Sequence, residues 1–187
     1  MSAPHAGDRE NDPAALDPVE VLVARDEIRR LAHLYADAVD RRDLDLLADL
    51  YAPDADFGAH GRGPDACRRF FDEALAGIGV AVLLVANHLV DVDDAEHAHG
   101  QVWTLAHVDD HREGFIEQLI RYDDRYVRVG GRWLFRSRRH RLWYGVPRPE
   151  SPFDQSPANW PERQVGVGTL PYGDPAWQAY WRRHRGS

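Results

Sequence analysis

A carboxylate hydrogen-bonded to one nitrogen of an imidazole makes the other nitrogen a stronger and correctly aimed base. The sequence offers such a pair across two elements: Asp40 falls near the end of the first predicted helix, and His88 opens a predicted strand. By residue type alone the pairing is one of many, because the chain has 10 histidines and 31 acidic residues. A surface aspartate and a core histidine are the alternative. Arg138 is a third candidate. It shares a strand face with Arg136, His140 and Leu142, from which a guanidinium could hold a carbonyl, an enolate or a leaving hydroxyl by charge-assisted hydrogen bonds. A solvated strand-face arginine is again the alternative. On the neighbouring strand Gln118, Ile120 and Tyr122 alternate together and would line the same cavity, an apolar wall with a few polar points.

The elements that must position these residues follow from periodicity. From Val19 to Arg42, Ile28, Leu31, Tyr35 and Ala38 recur at helical spacing among charged residues, which predicts a long amphipathic helix. Leu44 to Tyr51 repeats the pattern until Pro53 stops it, and Gly63-Pro64-Asp65 opens a third helix with Gly77 as its C-terminal cap. After Gly79 the character changes. Asn87 to Asp93, His97 to Asp109, Gly114 to Val129 and Arg132 to Tyr144 are β-rich runs separated by short polar or Gly-Gly turns, the pattern of an antiparallel meander. Helices followed by strands indicate an α+β domain, with the helices covering one face of a curved sheet. Residues 1–18 read as a mobile leader and 19–146 as the domain. Residues 147–187 read as a proline- and aromatic-rich extension that wraps over the body, a neighbouring subunit or the pocket mouth, with one helical turn after Pro175.

Composition narrows the chemistry. A formal charge of -8 disfavours nucleic acid, since that affinity comes mostly from neutralised phosphates. A small or apolar ligand fits better. The basic run Arg136 to Arg141 divides between two faces of a strand, which dilutes any patch. The longest apolar run, Val80 to Ala86, falls far short of the roughly 20 residues a helix needs to span a bilayer. With the single cysteine, Cys67, and no basic-then-apolar opening at Met1, it points to a soluble cytoplasmic protein. His97 and His99 on one strand face, followed by His107 and His111, raise a metal reading, but no carboxylate stands at diagnostic spacing. No glycine-rich phosphate loop, serine nucleophile elbow or cysteine nucleophile with a base is visible.

Two runs, ARDEIRRLAHLYADAVD over 24–40 and LADLYAPDADF over 47–57, resemble the opening of SnoaL-like proteins in the nuclear-transport-factor-2-like superfamily. Asn87-His88 opening a strand, RYDDRY over 121–126 and RWLFRSR over 132–138 extend the resemblance across residues 19–146. The pattern is most similar to the branch with scytalone dehydratase, bile-acid 7α-dehydratase and lindane dehydrochlorinase, which implies a conical barrel and cofactor-free elimination. In that resemblance the catalytic Asp and His fall on Asp40 and His88, a polar helix residue on Tyr35, and the pocket arginine on Arg138. Tyr35 and Asp40, five apart, lie about 140° around an ideal helix, and Tyr35 also reads as a core aromatic on the Ile28 face. The resemblance implies a second polar residue on the next strand, which makes His107 a pocket candidate although it alternates with Trp103 and Leu105 rather than with Val102, Thr104 and Ala106. Gln118, Ile120, Tyr122, His140, Leu142 and Phe57 complete the expected substrate-contacting set.

The expected function is therefore a lyase that needs no cofactor or metal. It would remove a proton from a small hydrophobic, hydroxylated substrate with loss of water, in a homo-oligomer of two or three copies. An isomerase or cyclase using the same dyad, and a non-catalytic binding or assembly module, are the alternatives.

Overall fold

The structure is a computed structural model and describes residues 16–184, so most of the leader read at 1–18 lies outside the described residues. Helix α1 runs Pro18–Arg41, with Asp17 capping its first turn by accepting from the Val19 N–H at 2.9 Å. Its buried residues include Ile28, Leu31, Tyr35 and Ala38, the periodic set read from the sequence, and Ala24, Ala32, Ala36 and Val39 widen the stripe. The helix ends at Arg42, which takes the left-handed conformation at φ 60°. A non-glycine residue pays for that conformation, and here the side chain is what holds it: the buried guanidinium donates to the carbonyls of Val39 (2.5 Å), Ile78 (3.1 Å) and Gly79 (2.9 Å). Arg42 thereby ties the end of α1 to the start of the first strand. Burial pulls its pKa down to about 10.

Helix α2 (Leu44–Asp49) and helix α3 (Pro64–Ala76) follow, with Pro64 in the first turn and Gly77 at the end, as the sequence predicts. Four antiparallel strands then form one sheet in the order β1 (Ile78–Val92), β2 (His97–Asp110), β3 (Gly114–Val129) and β4 (Arg132–Pro147). Strand β1 starts at Ile78, well before the expected Asn87. The stretch Val80 to Ala86 hides its alternation because the outward residues Val82 and Leu84 are as apolar as the inward Ala81, Leu83 and Val85. A register shift between Val85 and His88 then resets which side chains face the helices.

Helix α1 lies across the sheet and packs mainly on β1. The core between them is aromatic on the β4 side, where Tyr35, Tyr51, Phe71 and Phe135 meet edge to face or tilted. The segment at Leu50 to Ala52 bonds the backbone of Phe135 from both sides, so it closes the far edge of the sheet. Within the extension, helix α4 (Pro175–His184) packs back onto the helices. Tyr180 is fully buried, and its hydroxyl donates to the Asp72 carbonyl at 3.0 Å.

Candidate active site

The inner face of the sheet presents Leu83, Val85 and His88 from β1, Val102 and Thr104 from β2, Tyr122, Asp124 and Tyr126 from β3, and Phe135 and Arg138 from β4. Strand pairing sets Asp124 directly opposite Arg138. The two form a bidentate ion pair, Arg138 Nε to Asp124 Oδ1 at 3.0 Å and Nη2 to Oδ2 at 2.7 Å, with side chains only 3% and 0% exposed. Three rings surround the guanidinium, those of Tyr35, Tyr122 and Phe135, each 4.3 to 4.4 Å from its central carbon. Burial pulls the Arg138 pKa down, but the Asp124 carboxylate more than offsets this and holds the guanidinium above its ordinary value.

A hydrogen-bonded chain leads from this ion pair to His88. The Tyr126 hydroxyl donates to Asp124 Oδ2 at 2.8 Å and stands 3.0 Å from His88 Nε2. A phenol has one proton, and this one is spent on the carboxylate. The Tyr126 oxygen must therefore accept from His88, which assigns the imidazole the Nε2–H tautomer and leaves the Nδ1 lone pair free. Nδ1 is buried and has no hydrogen-bond partner among the described residues. Burial lowers the His88 pKa to about 4; Asp124 pulls it back up in part, and Arg138, Arg29 and His33 push it further down. The imidazole is neutral at physiological pH. Burial also drives the Tyr126 pKa up, and Asp124 adds to that, so the phenol keeps its proton.

The expected Asp40–His88 pair is not formed. Asp40 accepts the Leu83 N–H at 3.1 Å, covering a backbone donor of the edge strand β1. His88 lies five residues further along that strand, a span of roughly 15 Å, in the field of Arg29 and His33 from earlier turns of α1. An apolar side chain, Leu83, occupies the strand position that meets Asp40. Burial pushes the Asp40 pKa up to about 7, against the opposing pulls of the Leu83 N–H and Arg42. The polar group that orients His88 is Tyr126, backed by Asp124 and Arg138.

The other expected residues divide. Tyr35 and Tyr122 are buried at the ion pair with their rings 5.8 Å apart, and burial raises both phenols. Ile120 is core, and Gln118 is half-buried beside Gly145. His140 packs edge-on against Tyr122 at 5.5 Å, and burial lowers its pKa. Phe57 meets Tyr51 edge to face and lines a cleft of about 350 Å³ with Tyr51, Phe70, Arg136, Ser137 and Arg138. Leu142 shares the inner face but lies beyond the helices, 52% exposed. His107 is a correction: it sits on the outer face beside Phe115 and Glu117, because Ala106 takes the inward position. The His-x-His pair is likewise engaged elsewhere, His97 with Asp94 and His99 with Asp93, and no group of three or more metal-binding side chains occurs among the described residues.

Asp124 and Tyr126 were missing from the expected set. The signal was available, since the alternation through Gln118, Ile120 and Tyr122 reaches Asp124 and Tyr126 in two more steps.

The architecture is that of an α+β cone of the nuclear-transport-factor-2-like or cystatin-like kind. The family model of the SnoaL-like domain matches residues 20–139, and the chain belongs to that family. Among solved structures, it is similar to the hexachlorocyclohexane dehydrochlorinase LinA-type3 from Novosphingobium barchaimii, with 20% identity, TM-score 0.66, and coverage of 72% of this chain and 97% of that one. A protein from Novosphingobium aromaticivorans, provisionally named a scytalone dehydratase, gives 20% identity, TM-score 0.62, and coverage of 72% and 94%. Rv3472 of Mycobacterium tuberculosis, of unknown function, shares 20% identity at TM-score 0.58 over 92% of this chain and 93% of its own. At these identities the likeness is one of fold. No curated protein sequence matches this chain. No helix among the described residues is long and apolar enough to cross a membrane.

Proposed function

We propose that this protein is a cofactor-independent enzyme of the lyase or isomerase type in which His88 Nδ1 removes a proton from carbon. The observation that carries this reading is the Tyr126 hydroxyl held between Asp124 and His88 Nε2, which fixes the tautomer and leaves a buried, unpartnered lone pair. When Nδ1 takes the proton, the imidazolium that forms is bonded through Tyr126 to the Asp124 carboxylate, which favours the charged state as it develops. An imidazole with a pKa of about 4 is a weak base. It suits a C–H already acidified by a neighbouring carbonyl, so the substrate class is a hydrophobic β-hydroxy carbonyl compound. The C–H electron pair becomes the new C=C bond, the β C–O bond breaks, and the hydroxyl leaves as water with the proton that His88 Nδ1 took from carbon, which returns the imidazole to its neutral form. Return of the proton to another carbon would be isomerisation.

The similarity to a dehydrochlorinase and to a provisionally named scytalone dehydratase supports the elimination form of this reading. The test is hydrogen–deuterium exchange in D₂O, followed by NMR, across a panel of β-hydroxy ketones. Exchange or water loss should fall by about a hundredfold or more in His88→Gln, and equal rates in the variant would remove His88 from the base role. A non-catalytic ligand-binding module is the second reading. It is favoured by the apolar Leu83 opposite Asp40 and by an Arg138 already bound to Asp124. It predicts saturable binding of such ketones with no exchange above the solvent rate.

A further inference from the structure

On the far side of the body from the Arg138 cleft, the extension builds a second cavity against the sheet. Two adjoining clefts of about 320 and 360 Å³ share three aromatic walls, Tyr172, Trp177 and Trp181. The rings stand at steep angles to one another, 81° between Tyr172 and Trp177 and 56° between Trp177 and Trp181, so they form corners and not a stack. His111 adds a fourth ring, 6.0 Å from Trp181. Gly79 makes the floor. A methyl group there would stand 2.5 Å from Asp109 Oδ2 and 3.3 Å from His111 Nε2, so a larger residue would close the space.

Asp109 is the unusual member. It is half-buried and makes no hydrogen bond or ion pair among the described residues, although its charge is close enough to raise the Tyr172 pKa along with burial. The neighbouring charges are accounted for. Asp110 accepts the backbone N–H groups of Arg112 and Glu113, and Asp72 holds His184. Arg182 lines only the outer cleft. Among the residues lining the inner cleft, Asp109 is thus the one full charge beside His111 and His184, in company with the rings of Tyr172, Trp177 and Trp181.

We infer that this cleft binds a small organic ammonium ion, with Asp109 as counter-ion and Tyr172, Trp177 and Trp181 as the aromatic walls. A desolvated cation gains from ring faces within about 6 Å, and the carboxylate adds direct attraction. A neutral apolar guest would gain the contact area but would leave Asp109 unpaired. The site is independent of His88 and of the function proposed for it.

The probe pair is choline against its uncharged isostere 3,3-dimethylbutan-1-ol, titrated into the full chain at fixed ionic strength and read from the indole N–H resonances of its 6 tryptophans. Trp177→Phe and Trp181→Phe assign the signals. Choline should shift the Trp177 and Trp181 signals saturably, the isostere should bind at least about tenfold more weakly, and Asp109→Asn should weaken choline by a similar factor while leaving the other indole signals in place. His88→Gln should bind choline unchanged. Equal affinity for the two probes, or choline binding that survives Asp109→Asn, would overturn the inference. So would the absence of any saturable shift.

Discussion

Replacing Asp124 by asparagine keeps the side-chain shape and removes the charge that the Arg138 guanidinium depends on. The native contact is bidentate, at 3.0 and 2.7 Å, in a place where the arginine side chain is 3% exposed. Water cannot replace the lost carboxylate there. Breaking one half of a buried pair of this kind costs about 3–5 kcal/mol, because an uncompensated charge stays behind. Domain stabilities are about 5–15 kcal/mol, so about a fifth or more of the total is at stake. With a urea m-value of roughly 2 kcal/mol/M, the midpoint should drop by about 2 M in equilibrium unfolding followed by tryptophan fluorescence. The double replacement Asp124→Leu with Arg138→Met removes both charges and should recover most of the loss, since the three rings around the guanidinium would then enclose an apolar chain. A loss below about 1 kcal/mol in Asp124→Asn would mean that solvent reaches the guanidinium and that the pair is not a buried one.

Tyr126→Phe removes the hydroxyl between His88 and Asp124, so turnover of any substrate found should fall by about a hundredfold with the fold retained; kinetics alongside circular dichroism check both halves. The fold holds a proton on Asp40 up to about pH 7, whereas the unfolded chain releases it near pH 4, so this group withdraws stability as pH rises through that window. His88 does the reverse. Its pKa is about 4 when folded against about 6.5 unfolded, so its contribution is complete above 6.5 and is lost as pH falls toward 4. In the wild type the two slopes oppose each other between pH 4 and 6.5. Asp40→Asn, whose amide oxygen can still accept the Leu83 N–H, should leave the His88 slope alone. Its unfolding free energy should then rise by about 1–2 kcal/mol from pH 4 to 6.5, discounted for partial solvent screening, in urea titrations at several pH values. Gly100→Ala would drive a methyl group into the Leu89 carbonyl across the β1–β2 pairing, and thermal unfolding should show a clear loss of stability.

Much of this was legible in the chain, for reasons that differ by residue. The helical stripe of α1 and the proline and glycine at the ends of α3 are local signals, and the structure places those elements as the sequence predicts. The start of β1 was hidden because its outward residues are apolar too. Asp40 and His88 were each read on the right kind of element, but their meeting depended on how far β1 slides along α1, and no local pattern encodes that. The Leu83 backbone N–H meets Asp40, and the register shift between Val85 and His88 lets His88, five residues further on, face Tyr126. Strand alternation places both Arg138 and Asp124 on the inner face, whereas their ion pair depends on the register of β3 against β4, which no local pattern encodes. His107 followed the alternation of its own strand rather than the family resemblance, so the local pattern was the better guide there.

The chemistry proposed for this protein rests on His88 being a neutral imidazole with its proton on Nε2 and its lone pair on Nδ1. Nitrogen-15 NMR of the histidine side chains, assigned by His88→Gln and followed from pH 4 to 8, tests it directly. At pH 7 Nε2 of His88 should show the protonated, pyrrole-type shift and Nδ1 the bare, pyridine-type shift, with titration centred at about 4 and the tautomer preference lost in Tyr126→Phe. A proton on Nδ1 at neutral pH, or titration near the unperturbed value of about 6.5, would contradict it.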